Sequence, residues 1–155
     1  MFKFVNPHPK RLRTKDCVKR ACCLGSGINY HDVAIMLNRF KKETGGKKYN
    51  SNENWRLFIE KVLLGQKLSG DMRYAYNGHR YQVSDFARLH AGDVAILRCS
   101  GHLVATMNDY YCDTWDSGEK SVYIAFIMPA YEIIVNHIRS EYPWLCKGLT
   151  LEKQN

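Results

Sequence analysis

The hydrophobic period of this chain changes at Gly92-Asp93, and that change constrains the fold more than any other feature. Before it, apolar residues recur at helical spacing. Val33, Met36, Leu37 and Phe40 share one face, and Trp55, Phe58, Ile59, Val62 and Leu63 form a second stripe. After it, Val94 to Arg98, His102 to Met107, Tyr110 to Trp115 and Val122 to Met128 read as strands separated by short Gly, Asn, Asp and Ser turns. Helices first and an antiparallel sheet second specify an α+β domain. At 155 residues the chain has room for one proper core and reads as a single domain over 1–155.

Local signals sharpen the boundaries. Asp16 stands as an N-cap, which makes Cys17 the first residue of a helix that ends at Gly25-Ser26-Gly27. Asn29 caps a second helix, with Ile28 and Val33 placed as a hydrophobic staple, and Thr44-Gly45-Gly46 closes it. A third helix begins near Asn52 and stops at Gly65. Residues Ser69 to Gln82 show no clean period and read as loop or an irregular edge, and Ser84 caps a short helix through Leu89. Pro7 and Pro9 make residues 1–15 an extended, basic arm. Beyond Pro129, Tyr131, Ile134, Val135 and Ile138 suit a helix within a C-terminal extension over 129–155.

Composition narrows the function classes. The chain is 45% hydrophobic and 25% charged, as in ordinary globular proteins. No apolar run approaches membrane-spanning length, and Met1 to Asn6 has no signal-peptide core, so a cytoplasmic protein without a membrane partner is expected. The six cysteines, with Cys22 adjacent to Cys23, read as free thiols of a reducing compartment. No Cys-x-x-Cys or His-x-x-x-His spacing supports a metal site, and Gly25-Ser26-Gly27 is not a phosphate or dinucleotide loop; no cofactor is expected. The net charge of +8 is concentrated early: the first twenty residues hold Lys3, Lys10, Arg11, Arg13, Lys15, Lys19 and Arg20 against the single acid Asp16. Such an arm is a solvated face, an attractor of an acidic protein partner or nucleic acid, or electrostatic support for a thiolate. Ten tyrosines, three tryptophans and a pI near 9.2 keep a basic, aromatic nucleic-acid surface as one alternative.

Chemistry concentrates in three places. Cys17 combines a cap, a helix start and basic neighbours, all of which favour the thiolate, whereas Cys22 and Cys23 lie deeper in the same helix. His102 opens a strand after Ser100-Gly101, where it can serve as a base. If Asn108-Asp109 form a two-residue turn, Met107 pairs with Tyr110, His102 lies opposite Trp115, and Asp113 points to the His102 face. A three-residue loop would instead place Asp116 opposite His102. The two-residue turn makes Asp113 the preferred orienting carboxylate. Trp115 then walls the cleft or packs under His102.

Several blocks together resemble a family of small papain-like cysteine-peptidase-fold proteins encoded by bacteriophages and prophages. They are Asn6-Pro7-His8-Pro9-Lys10, Asp16-Cys17-Val18-Lys19-Arg20-Ala21, Val83-Ser84-Asp85-Phe86, Ser100-Gly101-His102-Leu103-Val104-Ala105 and Tyr111-Cys112-Asp113-Thr114-Trp115-Asp116-Ser117-Gly118. The resemblance runs from about Asn6 to Phe126. It implies a papain-like fold with Cys17 as nucleophile, His102 as base and Asp113 as orienter, but it implies no substrate; a protein or peptide in a host cytoplasm is the expectation. Such enzymes usually place a glutamine just before the cysteine to donate into the oxyanion hole, and none lies between Asn6 and Asp16. The remaining donors are the Cys17 backbone N–H and a side chain such as Asn6, Thr14 or Lys15. The expectation is a cysteine peptidase or isopeptidase. The alternative is a weak or inactive papain-like scaffold that binds protein or nucleic acid.

Overall fold

The computed structural model describes residues 1–11, 15–44 and 52–155. Among these, five α-helices and a six-stranded sheet form an α+β architecture. The elements run β1 (Phe2–Phe4), α1 (Cys17–Ser26), α2 (Tyr30–Glu43), α3 (Asn52–Leu57), β2 (Gln66–Lys67), α4 (Val83–Leu89), β3 (Val94–Cys99), β4 (His102–Met107), β5 (Tyr110–Asp113), β6 (Ile124–Met128) and α5 (Tyr131–Glu141). The strand order is β1-β5-β4-β3-β6-β2.

The sheet is mixed rather than antiparallel. Phe2–Phe4 joins β5 in parallel, with Phe4 beside Asp113, so the start of the expected arm is an edge strand. The two prolines do extend the chain, but only after Val5, whose N–H donates to the Asp113 carbonyl at 2.9 Å. At the other edge β2 pairs with β6. Three residues are too few for a hydrophobic period to show, which is why β1 left no signal in the sequence.

The central strands are apolar at nearly every position because both faces are covered. Ile96 and Leu103 pack into a core shared with α1, α2, the third helical segment and α5. Ala95, Leu97, Cys99 and Val104 face a second core with Val83, Phe86, Ala87 and Val122. Leu145 and Leu151 are fully buried in the first core, so the C-terminal segment belongs to it. Gly27 sits in the left-handed region at φ 79° and ends α1. Gly25 meets a different demand: a Cβ there would lie 2.6 Å from Ile96 Cγ1, so its absence lets α1 lie close against β3.

Asn29 caps α2 as read, its side chain accepting from the Asp32 N–H at 3.0 Å, with Ile28 and Val33 both buried beneath. The third helix changes at Phe58 into a π-helical turn over Phe58–Val62. Two caps differ from expectation. The Asp16 side chain makes no capping bond to α1, because it is drawn into a buried ion pair. Ser84 lies inside α4, which starts at Val83 after Gln82. Its first N–H groups donate to the Lys120 and Gly118 carbonyls at 2.9 and 3.0 Å. A neighbouring loop thus satisfies the orphan donors that a serine was expected to take. Among the described residues no helix is long and apolar enough to cross a membrane.

Candidate functional site

Hairpin parity places the first half of the site. Asn108 and Asp109 both take positive φ, 50° and 67°, as a tight two-residue hairpin turn requires. The register then runs Met107 with Tyr110, Thr106 with Tyr111 and Ala105 with Cys112. Continued one step, it sets Asp113 opposite Val104, on the His102 side. His102 Nε2 lies 2.6 Å from Asp113 Oδ2, and the Trp115 ring packs 4.9 Å from the imidazole. The hairpin turn alone therefore decides which of the two nearby aspartates meets the histidine.

Asp113 is 2% exposed and held on several sides. Ser117 Oγ donates to its Oδ2 at 2.7 Å, and the Thr114 N–H donates to Oδ1 at 2.8 Å. Arg20 Nη2 stands 3.6 Å from Oδ1. A carboxylate fixed by these donors can orient an imidazole and stabilise its protonated form. Asp116 is held elsewhere: its Oδ1 accepts from Tyr111 Oη at 2.6 Å and from the Gly118 N–H at 3.0 Å. Gly118 must be glycine at that corner, since a Cβ would fall 2.3 Å from Tyr111 Oη. The corner, docked on the start of α4, delivers Ser117 to Asp113.

Helix α1 packs across β4 and supplies the other half. Its first residue, Cys17, lies close enough to the His102 side chain and the Leu103 backbone for both to favour its thiolate. With Nε2 committed to Asp113, Nδ1 is the ring atom left to face the thiol. Burial alone would push the Cys17 thiol up. The His102 and Leu103 hydrogen bonds and the charges of His102 and Arg20 outweigh it, so the thiol ends below its ordinary value. Burial likewise pulls His102 down, but the hydrogen bonds and charges of Asp113 and Cys17 lift it to about 9. Both shifts favour a thiolate–imidazolium pair near neutral pH. Cys22, Cys23 and Cys99 behave oppositely: burial pushes all three thiols up, the latter two to about 12. All six cysteines are unpaired.

Beneath the three residues lies a buried polar network. Arg20, 6% exposed, forms an ion pair with Asp16 one turn before it on α1, and Asp16 Oδ2 accepts from Tyr30 Oη at 2.6 Å. The Arg20 guanidinium thus stands between the Asp16 and Asp113 carboxylates and ties the helix of Cys17 to the strand of Asp113. In the sequence Arg20 is one of several cations near Cys17. The i,i+4 spacing of Asp16 and Arg20 was the signal for its partner. Ser117 carried no signal, because its reach to Asp113 depends on a loop docked by a distant helix.

The remaining candidates divide. Asn6 follows the strand residue pair beside Asp113, and its Oδ1 accepts from the His8 N–H at 3.1 Å. Trp115, 44% exposed, flanks the imidazole on the open side. Thr14 and Arg13 lie outside the described residues. Among the described residues no group of three or more His, Cys, Asp and Glu side chains is placed to hold a metal ion. The chain matches no family model, no curated protein and no solved structure.

Proposed function

We propose that this chain is a papain-like cysteine hydrolase that cleaves an amide or isopeptide bond of a protein substrate. The observation that carries the reading is the His102 ring held between the Cys17 thiol and the Asp113 carboxylate, with the thiol lowered and the imidazole raised. A nucleophile, a base within hydrogen-bond reach and a third group orienting the base are what nucleophilic acyl transfer requires.

In this mechanism Cys17 Sγ attacks the substrate carbonyl carbon as the thiolate. The tetrahedral oxyanion is received by the Cys17 backbone N–H at the positive end of α1, with Asn6 as a side-chain candidate for the second donor. His102 gives its proton to the leaving amine as the C–N bond breaks, leaving a thioester on Cys17. A water then attacks, its proton passing to His102, and the C–S bond breaks to release the acid. Asp113 keeps the ring oriented through both steps. The resemblance of its sequence blocks to phage-encoded proteins supports placing this action in the cytoplasm of a bacterial host.

A second reading, a binding module on the same scaffold, is favoured by one observation: no glutamine precedes Cys17 between Asn6 and Asp16. Missing one oxyanion donor costs about 2.7–4 kcal/mol of transition-state stabilisation. Labelling with a thiol-directed activity probe at pH 7, followed by peptide mapping, tests the first reading. Rapid labelling of Cys17, lost in His102→Ala, is expected. Labelling no faster than that of a free cysteine would overturn it.

A further inference from the structure

Beyond the site lies a rim of cations and exposed aromatic rings. Lys120 Nζ sits 5.9 Å from the centroid of Trp115, the ring that packs on His102, and reaches the Ser100 carbonyl at 3.4 Å. Three residues on, Tyr123 is 37% exposed and lies between two guanidiniums, Arg80 at 4.3 Å and Arg98 at 5.4 Å from its centroid. The Tyr123 N–H donates to the Arg98 carbonyl at 2.8 Å, which pins the ring to the end of β3. That strand end leads through Ser100 directly to His102. The cations thus follow the chain from Trp115, on the imidazole, through Lys120 to the Tyr123 ring beside Arg98 and Arg80.

Two features make the rim a receptor rather than a solvated charge run. Among the described residues no carboxylate pairs with Arg80, Arg98 or Lys120. The acid that feels the Arg80 charge, Asp71, is already held by Arg73 at 2.9 Å. The two guanidiniums also share the Tyr123 ring, which holds both near one spot; Arg80 Nη1 donates to the Val122 carbonyl at 3.4 Å, and its other N–H groups and those of Arg98 suit a planar anion. Guanidinium edges match carboxylates in paired hydrogen bonds.

We propose that this rim docks an acidic segment of a polypeptide and holds its Asp or Glu carboxylates beside Cys17. The proposal rests on the hydrolase reading and adds a substrate class to it. The row of fixed cations beside a carbonyl-directed nucleophile favours an acidic chain over nucleic acid, and the test separates the two.

The probe is a hexaglutamate peptide, titrated calorimetrically into Cys17→Ala protein, with hexalysine and a twelve-nucleotide oligothymidylate alongside. Hexaglutamate is expected to bind, hexalysine not to bind, and the affinity to fall as salt rises. Arg98→Gln and Lys120→Gln should each weaken hexaglutamate by about three-fold, the size of one charge acting over several ångströms at the surface. Arg98→Lys, which keeps the charge, should lose less than Arg98→Gln. Absence of hexaglutamate binding, binding indifferent to these substitutions, or tighter binding of oligothymidylate would each overturn the proposal. Alkylation of Cys17 by iodoacetamide in the otherwise native chain keeps the two readings apart. An inert thiol on a protein that still binds hexaglutamate sinks the hydrolase and leaves the acidic-chain surface standing. A reactive thiol without that binding sinks the surface alone.

Discussion

Helix α1 carries three cysteines in two different environments. Cys22 and Cys23 are fully buried in its middle, where burial pushes their thiols up. Cys17, one to two turns earlier, is only half-buried, and its thiol is lowered by His102, the Leu103 backbone and Arg20. Residue type and helix are the same. What differs is access to the end of β4, where an imidazole and a strand N–H converge on the helix start. The lowering of a thiol in this chain is therefore a property of a helix–sheet junction, and the middle of the helix is devoted to packing.

The sharpest way to break that comparison is His102→Ala. The change should cut turnover, or Cys17 alkylation at pH 7, by about 10²–10⁴-fold and leave Cys22 and Cys23 as unreactive as before. In the native chain, alkylation against pH should show Cys17 ionising below the ordinary thiol value of 9.0. Turnover should fall again as pH rises through about 9, where His102 loses the proton it must give to the leaving group. A Cys17 midpoint at the ordinary thiol value and unmoved by His102→Ala would erase the distinction between the start and the middle of α1.

Next in size is Arg20→Met. It leaves the buried Asp16 and Asp113 carboxylates without their shared cation and should cost about 3–5 kcal/mol of stability by chemical denaturation. Arg20→Lys should recover part of that, and it should restore Cys17 alkylation further than Met does. Equal stability for the Met variant would show that Arg20 ties nothing together.

Asp113→Ala follows, and should lower turnover by leaving the His102 ring unoriented. Asp116→Ala should cost less, because its carboxylate serves Tyr111 and Gly118 rather than the imidazole. A larger loss from Asp116→Ala in two folded variants would mean that the hairpin register differs. Smallest is Gly25→Ala, in the packing half of α1. The added methyl meets Ile96, and a cost of about 1–3 kcal/mol in stability with an unchanged Cys17 pH profile is expected.

Much of this arrangement was legible before any coordinates. The helix from Cys17 to Ser26, the Asn29 cap and the four long strands follow from periodicity and turn residues spanning a few positions. The most consequential reading, Asp113 over Asp116, needed only the two-residue turn at Asn108-Asp109, because strand parity carries a local choice five residues along the hairpin. Strand Tyr110–Asp113 is shorter than expected, since Thr114 turns away once its N–H binds the Asp113 side chain.

Local pattern could not say which partner a polar side chain would take. Asp16 has the residue type and position of a helix cap, yet its carboxylate serves Arg20 and Tyr30. Only the packing of α2 and β5 around it removes water from that choice, and a buried cation then outcompetes a helix N–H. The parallel pairing of Phe2–Phe4 with β5, the reach of Ser117 and the Arg98–Tyr123–Arg80 stack join segments far apart in the chain. Sequence spacing determined the helix of Cys17, the strand of His102 and the face of Asp113. Tertiary structure decided which charges meet, because that outcome depends on who excludes water from whom.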